Sequence, residues 1–115
     1  MATREERLAE NEAIFREVNE RVAEVSERFG LESVSAVCEC ARASCTERFE
    51  LGQGDYEEVR SSSALFGVIP GHETPDVERI VARRDGYLIV EKLGVGAEVA
   101  DREDPREEPA RGGST

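Results

Sequence analysis

The feature that most constrains this chain is a single long helix, Thr3 to Gly30, punctuated at both ends. Thr3 and Glu6 have capping-box spacing, in which each side chain satisfies the other's backbone N–H. Gly30 is placed to leave the helix in the left-handed region, which has no Cβ penalty for glycine. Leu8, Phe15, Val18, Val22, Val25 and Phe29 recur at alternating steps of three and four, and Asn11 takes the remaining position of that heptad pattern. Glu12–Arg16, Glu17–Arg21 and Glu24–Arg28 are i,i+4 pairs in the favourable order, each adding only ~0.2–0.5 kcal/mol. The stripe has two readings: an amphipathic helix laying that face on the protein's own sheet, or a self-pairing coiled coil with Asn11 setting register. Three heptads are the lower limit for the second, so the first is preferred.

Residues beyond Gly30 supply that sheet. Val34 to Val37 and Thr46 to Leu51 are two arms of a β-hairpin spanning residues 31–51, with the cysteines in its turn. Gln53-Gly54 breaks the pattern, and Asp55 to Arg60 makes a short helix with Asp55 as N-cap. Leu65 to Ile69 is a short apolar run stopped by Pro70-Gly71. Val77 to Arg83 and Tyr87 to Leu93 flank Arg84-Asp85-Gly86, a strong hairpin signal. Thr74-Pro75-Asp76 would also cap a helix over the first arm, but Tyr87 to Val90 needs a neighbouring strand, and the strand reading is chosen. Gly94 to Glu98 reads as loop, lacking the strand–helix context and third glycine of a dinucleotide fingerprint. Asp101 to Thr115 is charged and Pro-containing, too polar to order itself. The expectation is an α+β fold: a long N-terminal amphipathic helix (1–30) packed on a small, mostly antiparallel sheet with one short second helix (31–100), then a disordered acidic tail (101–115).

Composition narrows the function classes. The formal charge is −11, opposite to what neutralising nucleic-acid phosphates or docking on anionic lipid needs. No apolar run is long enough to span a membrane and no signal-peptide core is visible, so the expected address is the cytoplasm, where thiols stay reduced. Hydrophobic residues are 38% of the chain, with no Trp, enough for a thin core that an added staple would help.

Cys38, Cys40 and Cys45 fall within eight residues, and His72 is the only histidine. Side chains two apart in an extended segment project to one side, so Cys38 and Cys40 would face the same way. The four-residue spacer lets Cys45 turn back to them, and the Pro70-Gly71 turn can bend His72 inward. Cys3His is a standard ligand set for structural zinc, and four protein ligands leave no open position for catalysis. C-x-C-x4-C is not the paired C-x2-C spacing of the strongest zinc signatures. The alternatives are buried thiols packed as small hydrophobes, and thiol redox or metal-sensing chemistry at Cys38, Cys40 and Cys45. Glu39 between the thiols, and Glu47 after them, oppose the thiolate that redox chemistry needs. If His72 is not the fourth ligand, Glu39, Glu73 or a water could serve. No carboxylate pair is marked as sharing a cleft, and Ser61-Ser62-Ser63 lacks nucleophile-elbow glycines.

The pieces Cys38-Glu39-Cys40, Cys45, Tyr56 to Arg60, Pro70-Gly71-His72-Glu73, Val77 to Val81 and Asp85 to Lys92 resemble a group of uncharacterised small actinobacterial-type proteins over about Arg4 to Ala100. That resemblance implies no activity, but it associates the cysteines and His72 as parts of one pattern. The sequence-based expectation is a non-enzymatic, zinc-stapled binding or regulatory module. Its partner is an unknown protein or a second copy meeting the N-terminal helix, with neither nucleic acid nor membrane involved.

Overall fold

The structure, a computed structural model, describes residues 3–40, 42 and 44–106. In chain order the elements are α1 (Arg4–Arg28), β1 (Ser33–Val37), β2 (Arg48–Gly52), α2 (Gln53–Val59), β3 (Leu65–Val68), β4 (Glu78–Arg84), β5 (Tyr87–Lys92) and α3 (Val95–Arg102). The α+β class is as expected. The strands form two antiparallel sheets, β1-β2 and β3-β5-β4.

Both ends of α1 follow from local chemistry. Thr3 N–H donates to Glu6 Oε1 at 2.8 Å and Glu6 N–H donates to Thr3 Oγ1 at 3.1 Å, completing the capping box. At the far end Gly30 takes φ 71°, its N–H donates to Glu27 O, and Leu31 N–H donates to Ser26 O, a Schellman exit.

The face of α1 is where expectation and structure part. The inward residues are Ala9, Glu12, Ala13, Arg16, Asn19, Ala23 and Ser26, whereas Val18, Val25 and Phe29 of the apolar stripe are exposed. Glu12 and Arg16, expected to pair with each other in solvent, are buried and held by groups elsewhere. Lys92, the only lysine, puts Nζ 2.7 Å from Glu12 Oε1 and 3.2 Å from Glu78 Oε1, with all three side chains buried. Arg16 lies 3.9 Å over the Phe66 ring, donates to Ala100 O and Ser63 O, and sits 3.6 Å from Asp104. Small residues at 9, 13 and 23 let α1 approach closely, and the polar residues between them bind what they meet. A hydrophobicity count cannot see that arrangement.

The first hairpin pairs Val34 with Leu51 and Ala36 with Phe49, turning Val34, Ala36, Phe49 and Leu51 inward. In the second, Gly86 takes φ 89° in the turn, and the register shifts between Ile80 and Ala82, leaving Val81 exposed. Residues 78–84 are a strand, as expected. Central strand β5 is buried on both faces. Tyr87 and Ile89 join Phe49, Tyr56 and Val34 in one apolar cluster; Leu88 and Val90 join Phe66, Val68, Cys38, Cys40 and Ala100 in another. Gly67 permits this: a Cβ there would stand 2.9 Å from the Phe49 ring, which stacks on Tyr87 at 4.9 Å.

Three boundaries differ from expectation. The short helix α2 begins at Gln53, with Gly52 rather than Asp55 as N-cap and no side-chain cap. Gly94 to Glu98 is not loop: Gly94 takes φ 57° and starts α3, which buries Val99 and Ala100. Gly96 weakens the helix propensity there, but a Cβ at 96 would come within 3.0 Å of Lys92 Cε. Finally, ordered structure continues past Asp101. Asp104 binds Arg60, and Arg106 pairs with Glu20 at 2.7 Å and Glu57 at 2.9 Å. The rest of the expected tail, 107–115, lies outside the described residues. Among the described residues no helix is long and apolar enough to cross a membrane.

Candidate metal centre

Three segments converge where the two sheets meet. Residues 38–40 leave the end of β1 and run beside β3, with Cys38 N–H bonded to Glu47 O and Glu39 N–H to Gly67 O, both at 2.8 Å. Cys45 enters on the way to β2, and its N–H donates to Arg42 O at 3.0 Å. His72 ends a turn after β3, in which Gly71 takes φ 94° and His72 N–H donates to Ile69 O at 2.9 Å. Pro70 fixes the preceding corner, so the sequence itself bends the imidazole back toward the thiols.

The ligand atoms of Cys38, Cys40, Cys45 and His72 all lie within 4.8 Å of one another. His72 Nδ1 is 3.6 Å from Cys38 Sγ and 3.5 Å from Cys45 Sγ. A tetrahedral zinc with ordinary bond lengths would set S–N edges of about 3.5 Å and S–S edges of about 3.8 Å. The group therefore fits a metal ion, and all four residues singled out in the sequence are brought together. Cys38 and Cys40 are buried, and Cys45 and His72 half-buried, so the site opens toward solvent on one side only.

Its electrostatics are compatible with a cation. Burial pushes the Cys38 thiol up, and the neighbouring Cys40 and Cys45 add to this. Burial likewise pushes Cys40 up. Four lone-pair donors point at one another, and a dication between them would favour the thiolate form. Backbone groups already face the sulfurs: Ile69 N–H donates to Cys38 Sγ at 3.2 Å, and the backbone at Arg42 bonds Cys40.

The alternative fourth ligands have other partners. Glu39 points to the opposite side of the strand, where Oε1 accepts from Gly67 N–H at 2.9 Å and Oε2 from Asn19 Nδ2 at 2.8 Å. Glu73 Oε1 accepts from Gly71 N–H at 2.8 Å. Asn19 also bonds both Val37 N–H and Val37 O, tying α1 to the strand that presents the cysteines. Sequence reasoning missed these supports, although alternation alone puts Glu39 away from its two neighbours.

No family model matches this sequence, and no curated protein or solved structure matches it either.

Proposed function

We propose that Cys38, Cys40, Cys45 and His72 hold one structural zinc ion, and that the protein is a non-enzymatic binding or regulatory module of the cytoplasm. The observation that supports this is the pair of S–N separations, 3.5 and 3.6 Å, which match the edge length expected of a zinc tetrahedron. Cys3His is soft enough to favour zinc over magnesium or calcium, and four protein ligands fill the coordination shell. The ion would clamp the β1-β2 hairpin to the end of β3, closing a loop of more than 30 residues across the seam of two small sheets. Such sites supply on the order of 10 kcal/mol at neutral pH. In a thin core that decides whether the domain folds.

Metal analysis of reduced, metal-replete protein should find one zinc per chain, and Cys40→Ser should abolish stoichiometric binding. A chelator should lower the thermal midpoint by tens of degrees or unfold the chain, reversibly on adding zinc back. Zinc-free material that folds with an unchanged midpoint would sink the reading. Rapid labelling of all three thiols in the native protein would instead favour the thiol redox or metal-sensing alternative. Burial of Cys38 and Cys40 speaks against that alternative.

A further inference from the structure

The outward face of α1 is the least explained surface of the molecule. Ile14 is 60% exposed, Val18 42%, Val25 49% and Phe29 73%, and Leu31 just beyond is 56% exposed. They account for five of the eight large apolar side chains exposed among the described residues. With half-buried Leu8, Phe15 and Val22 the helical ones form a stripe interrupted only at Asn11, while the helix spends its inner face on Glu12, Arg16 and Asn19. An apolar row with three–four spacing is the seam of a left-handed helix pair, and solvent is a poor partner for it.

We propose that this stripe is covered by the same stripe of a second copy, running antiparallel about a two-fold axis near Val18. The chain's other described helices do not serve. α2 and α3 have 7 and 8 residues, and α3 packs on the inner side of α1, where Arg16 bonds Ala100 O. At 1.5 Å per residue each is about 10–12 Å long, against about 32 Å for the stripe from Leu8 to Phe29. A second α1 has the matching length.

Charge selects the antiparallel direction. The open flank of the stripe carries exposed Glu10 and Glu17 toward its N-terminal end and exposed Arg21 and Arg28 toward its C-terminal end. Antiparallel pairing about Val18 sets Arg28 opposite Glu10 of the second copy and Arg21 opposite Glu17 of the second copy. In the same register Val18 meets Val18, Phe15 meets Val22, and Leu8 meets Phe29. Half-buried Asn11 falls opposite Val25, and with that exception apolar layers and charge pairs agree on one register. Exposed Glu24 falls opposite Ile14 and meets no like charge. The footprint, about 32 Å by about 11 Å per copy, is roughly 700 Å² over both copies, below the usual size of a stable interface, so the dimer should be weak, with a dissociation constant well above about 1 µM.

Sedimentation velocity on the full, zinc-replete chain tests this from about 5 to about 500 µM, a range that brackets such an affinity. The mass should rise from one chain to two. Val18→Glu, at an exposed position, should weaken the dimer at least tenfold and leave the helical circular dichroism of the monomer intact. Arg28→Glu should also weaken it about tenfold, and adding Glu10→Arg should restore it by exchanging the pair. A monomer at every concentration would overturn the proposal. A dimer indifferent to Val18→Glu would overturn the seam, and failure of the charge exchange to rescue would overturn the antiparallel register.

Discussion

Two buried polar regions meet in this small core, and they are completed differently. Beneath α1 the chain supplies both signs of charge: Lys92 lies between Glu12 and Glu78, and Arg16 and Arg60 close on Asp104, with Glu20 beside Arg60. At the corner of Cys38, Cys40, Cys45 and His72 it supplies donors of one kind only. The first region is specified by the chain alone and bears the desolvation cost of several ions. The second is compatible with a metal ion, which would then supply its energy. A buried ion network adds little net stability over an apolar core, whereas a filled metal site contributes folding energy directly. Chelators should therefore act on the corner, and pH and charge removal on the network.

Removing the one lysine should have the largest effect on the network. Lys92→Met keeps the volume but leaves Glu12 and Glu78 buried together, and breaking a buried pair this way costs about 3–5 kcal/mol. Denaturant unfolding of zinc-replete protein would measure it, and a loss under about 1 kcal/mol would mean that the triad is far wetter than the structure shows. Glu12→Gln is the sharper probe, because it leaves one anion to one cation and should cost much less. Glu12 lies against Lys92, 2.7 Å away, and near Glu78, and a neutral amide keeps its shape beside them.

The same carboxylate sets a pH dependence. Burial, partly offset by Lys92, raises Glu12 from 4.5 to about 8. A raised acid holds its proton more tightly when folded, so its contribution is fully present below about 4.5 and lost as pH rises through about 8. Burial raises Glu39 as well, which acts in the same direction. Measured as the difference between the zinc-replete protein and its Glu12→Gln variant, stability should fall from about pH 4.5 to about pH 8 and level off above, the difference removing the opposite slope that thiolate ligation brings. An unchanged slope in the variant would remove Glu12 as its source.

The contrast between the regions also shows what was legible. The cysteine corner could be read from spacing because its geometry is local: alternation places Cys38 and Cys40, a short spacer returns Cys45, and Pro70-Gly71 aims His72. The helix ends and the strand at 78–84 were legible for the same reason. The face of α1 was not. Its apolar residues are plain in the sequence, but which face turns inward depends on Lys92, Phe66, Ala100 and Asp104, between 50 and 88 residues further on. The helix at 95–102 was hidden by Gly94 and Gly96, whose low helix propensity the packing of Val99 and Ala100 overrides. Long-range packing overrode the local signal in both places.

One residue joins the two regions and offers the smallest test. Glu39 sits between the cysteines, yet its carboxylate faces away from them and accepts from Gly67 N–H and from Asn19 of α1. Glu39→Gln keeps the shape and one acceptor but turns a donor toward the Asn19 amide. Asn19 cannot flip to receive it without losing Val37 N–H and Val37 O. One donor is left facing another, at a cost of about 1–2 kcal/mol. Relief of a buried charge, which burial already disfavours at Glu39, pulls that figure toward its lower end. The loss should appear as reduced unfolding free energy with zinc bound, and again as a several-fold weaker competition for zinc against a chelator, because Asn19 and Glu39 hold the strand that presents Cys38 and Cys40. A variant that loses stability but keeps its zinc affinity would show the corner to be rigid on its own, with α1 merely resting against it.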